Sequence, residues 1–289
     1  MMLITLTEGV DTLNNSLEGS TILALAGDDK ITNSAANVVI DAGSGSDFLY
    51  NTGQGVSIFG GEGNERVVSY GSNSTIVTGD GDDSVMSYIT SVTTSAGEGN
   101  DTITAYGRGS SIDGGAGNDK ITNFAGGEGN DTLWGGAGND TIDNKAENVL
   151  FKYTDGDGDD SIVGFKVNST LQIVGTYSTQ TSGSDVVVTV GEGKITLVGA
   201  ASLETLNIVS EVVNPLLITL TEGDDTYSNS LEGATILALG GIDTIWNEGS
   251  NVSIDAGAGK DSIINEEFNN TIMGGEGSDT VCNSGYGMV

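Results

Sequence analysis

Residues Gly126–Asn144 read GGEGNDTLWGGAGNDTIDN, one nine-residue unit, G-G-x-G-x-D-x-U-x with U large and apolar, stated twice without a gap. The glycines open backbone angles closed to other residues, and the Asx and Asp bring oxygen into a tight turn. The apolar eighth position starts an inward-facing strand, so one unit predicts a turn followed by a short strand.

Outward from this stretch the unit is half of a longer repeat. Starts fall at 6, 24, 42, 60, 78, 96 and 114, a period of 18. First halves carry Gly at position four, from Gly9 to Gly117, and an acid at position six: Asp11, Asp29, Asp47, Glu65, Asp83, Asp101 and Asp119. Two residues later comes the apolar column Leu13, Ile31, Leu49, Val67, Val85, Ile103 and Ile121. Second halves supply Ile22, Ile40, Ile58, Ile76 and Ile112, with Thr94 as the exception. Two apolar points nine residues apart do not fit a helix, whose faces recur at three and four, but fit two strands and two turns per coil.

The repeat resembles the RTX (repeats-in-toxin) nonapeptide, which implies a right-handed parallel β-roll holding Ca²⁺ between stacked turns. The expected fold is all-β, with 18-residue coils, a small β cap and a truncated second roll. Stacked coils place equivalent residues about 4.7–4.9 Å apart. Carboxylates at that spacing repel by roughly 1 kcal/mol in water and roughly 3–4 kcal/mol at an effective dielectric near 20. A divalent cation between rungs reverses the sign, and Ca²⁺ suits carboxylate and carbonyl oxygens in a flexible loop better than Mg²⁺. The candidate ligands are Asp29, Asp47, Glu65, Asp83, Asp101, Asp119, Asp131, Asp140, Asp160, Asp243, Asp261 and Asp279. The Asp11 and Asp29 loops lack the first glycines and are expected to bind poorly, and the extra methylene of Glu65 is expected to loosen its rung.

Second halves carry no acid at the sixth place. Ser20, Val38, Val56, Ser74, Val92 and Ser110 stand there, so that edge is not expected to hold calcium. Asn15, Asn33, Asn51, Asn123 and Asn144 open these halves, where side-chain amides could bond from rung to rung. Tyr70, Tyr88 and Tyr106, also 18 apart, predict a stack of three rings that seals the turn edge or, alternatively, offers a platform to sugar. After 114 the starts become 126, 135 and 155. If the three extra residues near Asn123-Phe124-Ala125 bulge from a turn, Asp131 lies on the acid-free edge while Asp140 and Asp160 continue the main ladder. A register shift would put residue 126 on the main edge instead.

Residues 1–160 therefore read as the first roll. Residues 161–213 read as a β-rich cap and linker in which DVVVTVGEGKITLVGA (185–200) forms an antiparallel hairpin around Gly191-Glu192-Gly193. The only proline, Pro215, marks a linker. Residues 214–289 repeat 1–75 at an offset of 214, carrying Asp11, Asp29 and Asp47 onto Asp225, Asp243 and Asp261. This second copy stops within its fourth coil, as in a fragment of a longer array.

With 41 Asp and Glu against 9 Lys and Arg and a net charge of −32, the natural partners are cations, not nucleic acid or anionic lipid. There is no His, which excludes His-based triads and His-ligated zinc, and the single Cys282 has no internal disulfide partner. No run of about 18 apolar residues predicts a membrane span, and Met1-Met2-Leu3 opens no signal peptide. The chain has no G-x-S-x-G and no H-E-x-x-H. The expectation is a non-enzymatic, calcium-binding extracellular protein, secreted by or held at the surface of a bacterium, with a structural or adhesive role and an unknown surface or carbohydrate ligand. The alternative is a calcium-folding export module of a larger toxin or hydrolase. Ice binding would need a regular Thr face that Thr21, Thr75 and Thr93 do not sustain.

Overall fold

A computed structural model describes residues 2–127, 129–211, 217–231, 233–267 and 270–283. Glu128 of the central motif and the linker read at Pro215 lie outside the described residues. Two compact units are formed, Met1–Val212 and Val213–Val289.

In the first unit the chain winds as a parallel β-solenoid, and each coil adds one strand to each of two sheets, of 11 and 12 strands. The apolar points of the repeat set the register. Val67, Val85 and Ile103 face one another across the Arg66–Ser69, Ser84–Ser87 and Thr102–Ala105 strands. Ile58 and Ile76 do so in the other sheet. Both columns are fully buried except at the N-terminal end, where Leu13 is half-buried. Burial of each Ile contributes about 1.5–3 kcal/mol, so two columns suffice for a core one side chain deep per strand.

Glycine is indispensable in the acid-bearing turn. At Gly81, φ is 136° and a Cβ would lie 1.7 Å from the Gly63 carbonyl oxygen, so a side chain there would push the coils apart.

The three extra residues bulge from a turn. Ser111 pairs with Thr132 and Lys120 with Thr141, whereas Thr132 pairs with Leu150 at the ordinary 18-residue interval. The insertion therefore lies between Asn123 and Thr132, and Asp131 follows Ser110 on the second edge; the register shift does not occur. Two further residues enter between Leu150 and Ser161, in the turn on the acidic edge.

Winding outlasts the motif. Leu150–Thr154 pairs with Thr170–Val174, which pairs with Asn207–Glu211, and Asp159–Val163 pairs in parallel with Gly193–Val198. The expected hairpin is present, Asp185–Val190 running antiparallel to Gly193–Val198. Beyond it lies a strand that the sequence reading missed, Tyr177–Ser182, exposed at every residue and last in the larger sheet. Val186, Val188, Val190, Ile195 and Leu197 join the core and close its end.

The second unit repeats this winding on a small scale. Two four-stranded sheets enclose Ile236, Ile245, Ile254 and Ile263, and a three-stranded strip of glycine-rich turns runs beside them.

Candidate metal centre

The turns on the first edge hold a column of carboxylates turned inward. Asp29, Asp47, Glu65, Asp83, Asp101, Asp119 and Asp140 are at most 3% exposed, and Asp160 is 6% exposed. One oxygen of each Asp is used by the backbone of the preceding coil. The N–H of Asp29 donates to Asp47 Oδ1, that of Asp83 to Asp101 and that of Asp101 to Asp119, each at 2.7 Å. The same bond joins Asp119 to Asp140 at 2.7 Å and Asp140 to Asp160 at 2.9 Å. In the second unit it joins Asp225 to Asp243 and Asp243 to Asp261 at 2.8 Å, and Asp261 to Asp279 at 3.1 Å.

The other oxygen is the informative one. Oδ2 of Asp29, Asp47, Asp83, Asp101, Asp119, Asp140, Asp243 and Asp261 is buried and has no hydrogen-bond partner. An unpaired buried anionic oxygen is costly once and prohibitive as a file. Burial is the largest influence on several carboxyls of the column: it pushes Asp47 and Asp140 up to about 6, Asp101 to about 7 and Asp160 to about 8, against the opposing pull of one backbone N–H each. Asp29, Asp83, Asp119 and Asp243 are raised for the same reason.

These residues fit a hard cation. Every donor is oxygen, with no nitrogen or sulfur ligand among them, and a Cβ at Gly114 or Gly135 would lie 2.5 or 2.2 Å from the orphan oxygen of Asp119 or Asp140. Bare backbone thus lines the space beside that oxygen. Among the described residues no three Asp, Glu or Cys side chains converge on one point. An ion here would combine few carboxylates with carbonyl oxygens of the glycine-rich turns, a donor set that suits Ca²⁺.

Three rungs depart from the pattern. Asp11 turns its Oδ2 to the Thr7 hydroxyl at 2.6 Å and the Thr7 N–H at 2.8 Å, which hold its carboxyl below the usual range; Asp225 is capped by Thr221 in the same way, both bonds at 2.8 Å. Threonine therefore occupies an oxygen that is orphaned in the rungs above. Glu65 differs in the opposite sense. Neither of its oxygens accepts a hydrogen bond, and burial followed by the Asp83 charge pushes it up to about 8. Gly60 makes room for the longer chain, since a Cβ there would lie 2.8 Å from Glu65 Cγ. Glu65→Asp should restore the acceptor that other rungs offer and tighten calcium binding at this part of the ladder. A calorimetric titration indistinguishable from the parent would refute this account of the rung.

A second ladder, which sequence reasoning missed, runs outside the first at position five. There the direction reverses. The N–H of Asp82 donates to Asn64 Oδ1 at 2.9 Å, that of Asn100 to Asp82 at 2.8 Å and that of Asn118 to Asn100 at 3.0 Å. The signal was present as Asp28, Ser46, Asn64, Asp82, Asn100, Asn118 and Asn139 at 18- and 21-residue intervals.

On the opposite edge the amide ladder forms. Asn15 Nδ2 donates to Asn33 at 2.8 Å, Asn33 to Asn51 at 2.9 Å and Asn123 to Asn144 at 3.2 Å. It recurs from Asn229 through Asn247 and Asn265 to Asn283 at 2.6–2.7 Å. The ring stack forms too, with centroids 4.5 Å apart for Tyr70 and Tyr88 and 4.8 Å for Tyr88 and Tyr106, planes within 3° of parallel. Phe124 extends it at 5.1 Å, and Tyr50 leans on it at 51°. Ring faces cover one another along the edge, while Tyr70, Tyr106 and Phe124 stay exposed at their rims.

A family model described as RTX calcium-binding nonapeptide repeat matches residues 23–54, 59–87, 95–123, 122–148, 237–272 and 264–281, more than half of the chain. Among solved structures, the crystal structure of extracellular lipase LipA from Serratia marcescens is similar at 14% identity and a TM-score of 0.31, covering 70% of this chain and 38% of that one. The chain thus spans well under half the length of that lipase. Comparison with curated proteins finds no match.

Proposed function

The chain belongs to the RTX calcium-binding nonapeptide repeat family, and from that premise we propose that it is a non-catalytic extracellular protein that folds by taking up a file of Ca²⁺ ions along one edge and serves a structural or adhesive role at a bacterial surface. The observation that carries this reading is the column of buried carboxylate oxygens with no partner. Bound Ca²⁺ supplies the positive charge that the column lacks. Apart from Asp11, Asp225 and Glu65, the acids at position six offer one oxygen to a cation while the other ties each coil to the one before.

Support for a non-catalytic role comes from chemistry. A hydroxyl nucleophile needs a general base, and the chain has no His to act as one. The carboxylates that could replace it are stacked alike in every coil and single out no reacting atom. An extracellular setting accords with sites built from few charges, since such modules bind Ca²⁺ at roughly 10⁻⁴–10⁻³ M, near extracellular and far above cytosolic levels.

The test is ion stoichiometry by calorimetry with thermal melting. Asp101→Ala or Asp119→Ala should each lose bound calcium and lower the midpoint, whereas Ser74→Ala and Ser110→Ala should leave stoichiometry alone. Loss of an ion in Ser110→Ala would overturn the assignment to one edge.

A further inference from the structure

The segment 126–134 holds the fullest copy of the repeat motif on the second edge, and its acid, Asp131, is 1% exposed like those of the ladder. Its surroundings are nevertheless of another kind. Oδ1 accepts the N–H of Ser110 at 2.9 Å and Oδ2 accepts Nδ2 of Asn123 at 2.9 Å, so neither oxygen is orphaned. The equivalent positions of the neighbouring coils bring no second acid, although Glu147 lies in the next turn, its backbone bonded to Gly127 and Gly129. Asp131 stands between Ser110 below and Val149 above, as the pairings of Ser111 with Thr132 and of Thr132 with Leu150 require.

Both bonds have counterparts elsewhere on this edge, made by neutral residues. The amide of Asn15, which opens its half-coil as Asn123 does, donates to Ser20 Oγ at 3.1 Å. In the second unit Asn270 occupies the equivalent position. Its Oδ1 accepts the N–H of Val252 at 2.6 Å, and its own amide bonds to Asn265 Oδ1 at 2.7 Å. A serine therefore accepts the Asn amide and an asparagine accepts the N–H from the coil below, both without charge, although Asn270 donates to Asn265 where Asp131 accepts from Asn123.

We infer that the complete motif at 126–134 is not a calcium site and that Asp131 is a metal-independent clasp, joining the turn lengthened by three residues to Ser110 below and to the Asn amide that opens it. This rests on the reading that the carboxylates of the first edge do bind calcium, because the contrast between orphaned and satisfied oxygens is what separates the two edges. It departs from the expectation that Asp131 is a ligand. With each oxygen already holding one hydrogen bond and no second acid in its column, Asp131 offers a cation less than the acids of the first edge do.

Three variants of the full chain, each titrated with Ca²⁺ and melted at saturating Ca²⁺, test the assignment. Asp131→Asn, which copies Asn270, should keep both the parent stoichiometry and its melting midpoint. Asp131→Val should keep stoichiometry but melt several degrees lower, because it removes the acceptor of the Ser110 N–H and of one of the two Asn123 amide hydrogens. Asp101→Asn should lose calcium. Loss of an ion in Asp131→Asn, with Asp101→Asn also losing one, would overturn the clasp and leave the ladder standing. Parent stoichiometry in Asp101→Asn would instead overturn the calcium ladder itself.

Discussion

Stripped of calcium, the chain should lose most of its β structure, and millimolar Ca²⁺ should restore it. The cause is the file of orphaned oxygens on the acidic edge. Each coil buries two or three large aliphatic side chains, a thin core against the entropy of ordering its chain, and each stacked charge opposes it further. A site with a dissociation constant near 0.2 mM gains about 1.4 kcal/mol at 2 mM Ca²⁺. Several such sites exceed the roughly 5–15 kcal/mol that separates folded from unfolded domains only when they act together, so the transition should be steep in calcium. Far-ultraviolet circular dichroism with and without chelator reads it directly. A spectrum rich in β structure in chelator and unmoved by calcium would refute the role given to the ladder.

Without calcium, acid should rescue the fold that neutral pH destroys. Burial raises Asp47 and Asp140 to about 6, Asp101 to about 7 and Asp160 and Glu65 to about 8, from 3.8 for Asp and 4.5 for Glu. Between those limits the folded chain holds more protons than the unfolded one, so stability falls as pH rises through the window. Protein freed of metal on a chelating resin should therefore show more β signal at pH 5 than at pH 8. With calcium present the order reverses, because protons compete for the same oxygens: affinity should climb from pH 5 to 8, and binding should release protons into a weakly buffered solution. A metal-free β signal that is flat or rising across this range would show that the carboxylates are not buried as described.

The period and both apolar columns were legible because a repeat displays its own register: Ile58 and Ile76 are neighbours in sequence alignment and in space alike. The ladder of Asp29 to Asp160 was legible for the same reason. Asp131 was not. Its motif reads identically on either edge, and only the pairing of Ser111 with Thr132 decides where it lies. Its chemistry was still less accessible, since a satisfied and an orphaned carboxylate have the same letter. The outer Asx ladder was overlooked because Asn and Asp in a tight turn already have a local explanation. Tyr177–Ser182 lacks apolar alternation, being exposed on both faces, and is a strand only because Asp185–Val190 offers it an edge.

Strand order in the two large sheets follows the coils, each bonded to the one before and the one after. Under tension applied along its axis such a body behaves as a spool and not as a knot. Coils should peel from an end singly, each paying out 18 residues, or about 60 Å of extended chain. The lengthened coil, with three residues more, should pay out about 70 Å. Every calcium ion held between two coils would then act as a brake on one step of the unwinding, so that the free calcium level would set how readily the coils yield.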